Sequence, residues 1–308
     1  MTESTVPRNP FITVLITLLV AFFSFQVAGS LIGFVLAIPF YPGSISEMVK
    51  SLAAPEDDPR MKVPMLIMQG FGSFFGLVLV PALMLRAWRQ PLTQFFNKKI
   101  PLLPIILTFV ILGSFMVMIS VVIEWNQNIT FPDFMAGAEK WMREMEDKLA
   151  ETTEFMTHFD SFGQFLIGIL VIAVIPAFGE EIVFRGIIQN ELYRGTKNIH
   201  VAIWVSAIIF SAFHIQFYGF VPRMLLGALF GYLYYWSGNL SLAVLAHFLN
   251  NGISVMALYF YQQGKIPIDI EKPEAAPLPA VLSATVLTFV LLFGFKKYYS
   301  DLHRLSEK

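Results

Sequence analysis

The chain contains no cysteine among its 308 residues. Without cysteine it can form neither a disulfide framework nor a thiolate metal site, and a cysteine nucleophile is excluded. Charged residues are also scarce, at 14% of the chain, whereas soluble domains have about one quarter. The formal net charge is −1, and the sequence has no basic patch interleaved with aromatic residues. We therefore expect neither a soluble fold nor a nucleic-acid partner.

Hydrophobic residues make up 56% of the chain, and the mean hydropathy is +0.64. They form runs long enough to cross a hydrocarbon core of about 30 Å, which requires about 20 helical residues. The first run, Phe11 to Phe40, is too long for a secretory signal and is interpreted as a retained span. We predict an all-α polytopic bundle of about eight spans, at residues 12–38, 64–86, 102–124, 162–189, 199–218, 222–238, 240–261 and 278–297.

The basic residues indicate how these spans are oriented. Lysine and arginine gather next to span ends in the segments 86–99, 185–197 and 296–308. Short loops rich in lysine and arginine face the cytoplasm in most membrane proteins. We therefore predict an integral, multi-pass protein in the lipid bilayer with both termini in the cytoplasm.

The predicted spans divide the chain into four regions. These are a three-span region at 1–126, an outer connection at 127–161, a helix bundle at 162–262, and the last span with its cytoplasmic tail at 263–308. Apolar residues recur at helical spacing in the connection, which predicts an amphipathic helix at Ala138, Trp141, Met142, Met145 and Leu149. A solvated or interfacial connector is favoured there over a lid that gates substrate.

Ionisable residues within the predicted spans are concentrated between residues 180 and 251. Such side chains are costly in a bilayer and generally face a bundle interior or an aqueous cavity. Most of them belong to pairs of residues four apart, a spacing that places both members on one helix face. The pairs are Glu181 with Arg185, Phe210 with His214, and His247 with Asn251, and Glu180 precedes the first of them. This concentration is the main indication of a functional site.

The adjacent carboxylates Glu180 and Glu181 point about 100° apart on a helix. We assign Glu180 to a cavity and Glu181 to an ion pair with Arg185. A carboxylate in a low-dielectric pocket is suited to accept a proton from water and later deliver it to a leaving amine. A nearby imidazole can orient that water, and a second histidine with an asparagine can stabilise a developing oxyanion. Peptide hydrolysis requires these parts.

Each residue also has a structural interpretation. A single intramembrane histidine such as His214 more often packs through a hydrogen bond than catalyses a reaction, and Glu181 with Arg185 could only fix helix register. Gly227 and Gly231 have the small-residue spacing that is typical of close helix packing. We assign these two glycines no role in a site.

The segments GEEIVFRG (179–186), FSAFH (210–214) and HFLNN (247–251) resemble the EExxxR, FxxxH and HxxxN motifs of the CPBP family. This family comprises CAAX proteases and bacteriocin-processing enzymes, including the Rce1-type prenyl-protein endopeptidases. The resemblance covers about residues 162 to 260 and implies an all-helical membrane enzyme that cleaves a peptide bond near the membrane. By position it assigns water activation to Glu180 with its partner His214, and oxyanion stabilisation to His247 and Asn251. The supporting motif residues are Glu181, Arg185 and Phe210.

The resemblance leaves the cofactor and the substrate open. The family has been described both as metal-dependent and as a metal-free glutamate protease. The candidate zinc ligands are Glu180, His214 and His247, but the chain has no HExxH motif. Asn251 beside His247 suits oxyanion binding better than metal ligation, which favours a metal-free mechanism. The expected substrate is a membrane-associated protein or peptide, and a CAAX-type C-terminus is one candidate.

Two other functions are compatible with the same residues. A non-catalytic scaffold or immunity-type protein would keep the fold and bind partners. A proton-coupled transporter would use glutamate and histidine side chains as a proton relay. The transporter hypothesis predicts inverted repeats and paired broken helices, and the sequence shows neither.

Overall fold

The computed structural model describes residues 8–266 and 274–306. Within these ranges the chain forms helices and short turns and has no β-strand, which confirms the predicted all-α class. The remaining residues, 1–7, 267–273 and 307–308, belong to the predicted regions 1–126 and 263–308 and lie outside the described residues.

Six helices of the described chain are long and apolar enough to cross a membrane. Each corresponds to a predicted span: α1 is Pro10–Phe40, α3 is Pro59–Ala87, α4 is Leu102–Gln127, α6 is Phe162–Thr196, α9 is Leu240–Gln262, and α10 runs from Leu278. A short helix, α2, covers Ile45–Ser51, and the amphipathic helix α5 covers Ala136–Thr157.

The fifth and sixth predicted spans correspond to two shorter helices. Helix α7, Ile199–Ala212, has 14 residues, and helix α8, Phe220–Ser237, has 18. Helix α7 ends well before the predicted residue 218: the His214 and Ile215 N–H groups donate to carbonyls only three residues earlier, and Ile215 then has a positive φ of 56°. His214 therefore lies in a turn that follows α7, although its hydrophobic neighbours suggested a continuous span.

The described chain divides into two compact units, and neither is continuous in sequence. One unit draws on Met1–Pro91, Arg143–Val183 and Asn251–Ile270, as far as these residues are described. The other draws on Leu92–Met142, Phe184–Asn250 and Glu271–Lys308, with the same restriction. We call them the first and the second unit.

In the first unit, α1 and α3 approach each other closely through glycines. A Cβ atom placed on Gly29 would lie 2.7 Å from the Cα of Gly72, and one on Gly33 would lie 2.7 Å from the Cα of Met68. Small residues allow such backbone approach between membrane helices, where dispersion forces and not the hydrophobic effect drive association. The backbones of α1 and α3 are thus in close contact within this unit.

In the second unit, α4 packs along α10, and α7 packs along α8. The buried hydroxyl of Thr288 on α10 donates to the buried Ser114 Oγ on α4, at 2.9 Å. Helix α8 also packs against α4 and α10 and so joins the two pairs. The second unit is therefore a bundle built around α8.

Candidate functional site

Helix α6, which carries Glu180, Glu181 and Arg185, contains two π-helical segments. They cover Ile169–Val174 and Ile182–Gln189, and the two glutamates lie between them. Single π-helical turns interrupt the regular backbone hydrogen bonds and are frequent at functional sites. The two carboxylates are thus held on a short α-helical stretch flanked by irregular backbone.

Pro176 explains why one backbone carbonyl of α6 accepts its hydrogen bond from a side chain. A proline has no N–H, so it cannot donate to the carbonyl four residues earlier, which is that of Ile172. In the first unit the amide Nδ2 of Asn251, on α9, donates to the Ile172 carbonyl at 3.2 Å. Asn251 therefore has an anchoring role that was not predicted from the sequence. The sequence feature that could have indicated it is Pro176 inside an apolar helix.

Gly179 sets the position of the two glutamates in the first unit. A Cβ atom on Gly179 would lie 2.6 Å from the Leu77 Cβ and 3.1 Å from the Leu77 carbonyl carbon on α3. Only a residue without a side chain allows this contact. Next to it, the side chain of Glu181 is fully buried at 0% exposure, whereas Glu180 is partly exposed. The adjacent carboxylates therefore lie in different environments.

In the second unit, the buried guanidinium of Arg185 is held by a carbonyl and two aromatic rings. Its Nη2 donates to the Gly227 carbonyl at 2.8 Å. Its central carbon lies 4.6 Å from the ring centroid of Phe210 and 5.5 Å from that of Phe230. A cation over a desolvated ring face gains about 2 kcal/mol. Arg185 is therefore a fixed part of the second unit.

Gly227 and Gly231 do more than allow close packing. One turn beyond Arg185, Gln189 Nε2 donates to the Gly231 carbonyl at 3.2 Å. A Cβ atom on Gly227 would lie 3.1 Å from Arg185 Nη2, so a side chain there would crowd the guanidinium. From the sequence these glycines have no predicted role in a site, and in the structure their carbonyls accept the hydrogen bonds of Arg185 and Gln189. The sequence signal for these contacts was the spacing: Arg185 and Gln189 are four residues apart, and so are Gly227 and Gly231.

Phe210 on α7 is the centre of an aromatic cluster in the second unit. Its ring meets the ring of Phe184 edge-on at a centroid distance of 5.1 Å. It meets His214 edge-on at 5.0 Å and His247 edge-on at 6.0 Å. Phe210 thus touches both histidines and Arg185, which explains why an aromatic residue four positions before His214 belongs to the motif.

His214 is oriented by a backbone carbonyl. Its Nδ1 lies 2.9 Å from the Phe210 carbonyl oxygen, which can only accept a hydrogen bond. Nδ1 therefore carries the hydrogen, and in the neutral ring Nε2 carries the lone pair. In this tautomer the imidazole can accept a hydrogen bond or a proton only through Nε2.

His247 is buried on α9, with 4% of its surface exposed. Its ring stacks on Phe230 with a centroid distance of 5.2 Å and an angle of 22° between the planes. Together with the edge contact to Phe210, this stacking fixes the ring plane. The second unit therefore brings together Arg185, Phe210, His214 and His247. Glu180, Glu181 and Asn251 belong to the first unit.

Glu180, His214 and His247 are the candidate zinc ligands, and metal dependence stays a prediction. Among the residues that the structure describes, no group of three or more His, Asp or Glu side chains is arranged to hold a metal ion.

The three motifs in this all-α chain are similar to those of membrane-embedded CAAX-type proteases. Residues 162–253 match the model of the family described as Type II CAAX prenyl endopeptidase Rce1-like. The match includes every motif residue from Glu180 to Asn251. It confirms the resemblance over this segment of the chain.

Two curated proteins are similar to the chain over 96 residues each. The Membrane-embedded CAAX protease MroQ of Staphylococcus aureus (strain USA300) is 32% identical, over 29% of this chain and 38% of its own length. The Uncharacterized protein YpbD of Bacillus subtilis (strain 168) is 28% identical, over 30% of this chain and 46% of its own length. The chain thus spans less than half the length of these relatives, and no solved structure matches it.

Proposed function

We propose that this protein is an intramembrane endopeptidase that hydrolyses a peptide bond of a membrane-associated protein or peptide. The observation that carries the proposal is the family match over residues 162–253, which contains all seven motif residues. The relative named as a membrane-embedded CAAX protease supports the same activity. Six apolar helices long enough to span a bilayer support a reaction at a membrane.

In the proposed reaction, water is the nucleophile and Glu180 is the general base. The Glu180 carboxylate takes one proton from water while the water oxygen bonds to the carbonyl carbon of the scissile peptide. The C–N bond then breaks, and Glu180 returns the proton to the leaving amine nitrogen. A positioned acid or base of this kind contributes about 10²- to 10⁴-fold to the rate.

His214 has the proposed role of orienting the water. The hydrogen bond of its Nδ1 to the Phe210 carbonyl leaves the lone pair on Nε2, which can accept a hydrogen bond from water. A water held in this way presents a lone pair to the substrate carbonyl. The contact with Phe210 limits rotation of the imidazole and so favours one position of the water.

His247 and Asn251 have the proposed role of stabilising the oxyanion. Stacking on Phe230 fixes the His247 ring, and the hydrogen bond to Ile172 orients the Asn251 amide. The Asn251 amide nitrogen has two hydrogens, and one of them binds the Ile172 carbonyl. Loss of one such donor to an oxyanion costs about 10²- to 10³-fold in kcat.

The substrate class is also part of the proposal. The family description and the relative named as a CAAX protease favour a C-terminal CAAX sequence on a membrane-anchored protein, which in the prenyl endopeptidases carries a lipid. An unprenylated membrane-anchored peptide is the competing substrate.

The test is proteolysis by the purified full-length protein in liposomes. The substrates are membrane-anchored peptides with identical sequences, prenylated or carrying a transmembrane anchor, and cleavage is followed by mass spectrometry. We expect wild type to cleave at one bond and Glu180→Gln and His214→Ala to lose at least about 10²-fold in kcat.

Two exposed residues provide matched controls. Glu151 and His158 lie on α5 and just after it, and both are exposed. Glu151→Gln and His158→Ala should therefore keep wild-type activity. Cleavage that survives the Glu180 and His214 substitutions would overturn the site, and no cleavage of any substrate would favour the scaffold function.

A further inference from the structure

The turn that carries His214 has a strained backbone and is partly exposed, but hydrogen bonds hold it at several points. We call residues 213–219, between α7 and α8, the His214 turn. Ile215 within it has a positive φ of 56°, which is unfavourable for a β-branched residue. Such a conformation persists only where the surroundings hold it, and it is frequent at functional sites.

Two hydrogen bonds close the turn from its own flanks. The buried Ser211 hydroxyl, at the end of α7, donates to the Phe220 carbonyl at 2.6 Å, at the start of α8. Arg223 Nη2 donates to Gln216 Oε1 at 2.7 Å. These contacts join the ends of the turn but do not attach it to another helix.

Asn126 provides that attachment from the last turn of α4. Its side chain is buried, with 2% exposure. Its Nδ2 donates to the Phe217 carbonyl at 3.2 Å, and its Oδ1 accepts from the Val221 backbone N–H at 2.8 Å. One amide therefore satisfies two backbone groups, one inside the His214 turn and one just after it.

We propose that Asn126 is a positioning residue for His214: it fixes the His214 turn to α4 and thereby sets the direction of the imidazole. Asn126 precedes the segment 162–253 that matches the family, so the family motifs do not include it. On the α5 side, the ring of Trp141 packs against Phe217 at a centroid distance of 5.5 Å and adds an apolar contact to the same point. The proposal rests on the proposed catalytic role of His214.

The experiment combines two measurements on full-length protein in liposomes. Hydrogen–deuterium exchange reports on the turn directly, and cleavage kinetics report on His214. We expect Asn126→Ala to speed amide exchange across residues 213–221 at least tenfold. We also expect it to lower kcat about 10- to 100-fold with KM nearly unchanged, because a misplaced catalytic group affects the chemical step.

Asn128→Ala is the matched control, because Asn128 lies two residues further on and its side chain bonds only locally, to the Glu124 carbonyl at 2.8 Å among the contacts described. It should change neither measurement. Asn126→Asp has almost the same shape and keeps the acceptor for the Val221 N–H but cannot, when ionised, donate to Phe217. It should loosen residues 213–219 while Val221 stays protected, with a smaller loss of kcat, and it replaces the alanine variant if that variant does not fold.

Each outcome decides a separate point. Unchanged exchange in both Asn126 variants would overturn the attachment itself. Faster exchange with unchanged kcat would overturn the positioning role. If wild type cleaves no substrate, the proposed function fails and the catalytic part of this inference fails with it, whereas exchange still decides whether Asn126 holds the turn.

Discussion

Phe210 shows how one side chain can organise several polar groups. It is an apolar residue in an apolar helix, but its ring touches His214, His247 and the guanidinium of Arg185. The ring edge carries partial positive charge and the ring face partial negative charge, so edge contacts and cation contacts occupy different parts of the ring. We therefore expect Phe210 to orient its neighbours.

We expect Phe210→Leu to lower kcat for peptide cleavage at least about tenfold, because a branched aliphatic side chain cannot hold two imidazoles at fixed angles. The loss of stability should be modest, about 1 kcal/mol. Phe295→Leu is the control, since Phe295 is equally buried in the second unit and contacts Trp236 and Tyr299. Steady-state kinetics and thermal unfolding of both variants check this, and equal kcat values for the two would contradict it.

At the scale of elements, the close contact of α6 with α3 sets where the glutamates lie in the first unit. The contact depends on the absence of a side chain at Gly179. In a well-packed interface an added methyl group cannot be absorbed without movement of the backbone. The position next to Glu180 is thus under a steric constraint.

We expect Gly179→Ala to destabilise the protein by about 1–3 kcal/mol and to reduce cleavage. Gly294→Ala on α10 is the control, because a Cβ atom there meets nothing within 4 Å. That control should be neutral or up to about 1 kcal/mol more stable, as alanine favours helix over glycine. Unfolding in detergent measures both, and equal stabilities would show that Gly179 is not constrained.

The connection between α1 and α3 is ordered by a polar cluster around Asp58. Arg60 donates to both of its carboxylate oxygens, at 2.8 and 3.0 Å, and Ser51 and Tyr41 donate to Oδ2 at 2.7 and 2.8 Å. The hydrogen bonds from Arg60 first, and then from Ser51, hold the pKa of Asp58 well below its usual value of 3.8. The charged form is therefore the form that the fold favours.

The sign of the pH effect follows from this lowered pKa. The contribution of Asp58 to order in residues 41–61 is fully present above pH 3.8 and is lost only as the pH falls through the lowered value. We expect amide protection of this segment to persist down to pH 4, and Asp58→Asn to reduce it about tenfold at pH 7. Asp57→Asn, at an exposed neighbour, should have no effect. Hydrogen exchange corrected for intrinsic rates distinguishes these results, and a loss of protection already at pH 5 would contradict the assignment.

For the whole molecule, the orientation of the spans in the membrane is predicted by the basic residues. The basic segments 86–99 and 185–197 predict which loops are cytoplasmic. Because the chain has no cysteine, a single introduced cysteine reports on one position without background.

We expect Asn97→Cys to react with a membrane-impermeant maleimide only after cells are permeabilised. Glu151→Cys, in the predicted outer connection, should react in intact cells. Both positions are exposed in the structure. The reverse pattern would place both termini outside, and equal labelling in intact cells would show that the number of spans between the two positions is even.

Sequence alone was sufficient for the class of the protein and for the motif residues. Long apolar runs and scarce charge are local properties, and a polar residue in an apolar run is visible without knowledge of the fold. The spacing of four residues likewise predicts that two side chains lie close together, as found for the rings of Phe210 and His214, although His214 follows the end of α7. The family match confirmed the segment that carries these motifs.

The tertiary structure determined which residues, distant in the chain, contact these motif residues and the helices that carry them. It showed that Asn251 bonds to Ile172, that Gly227 binds Arg185, that α7 ends at Ala212, and that Asn126 holds the turn after it. Each contact joins residues far apart in the chain or depends on one backbone angle. Hydrophobic periodicity records only which face of a helix is apolar, so these pairings exist only once the helices have packed.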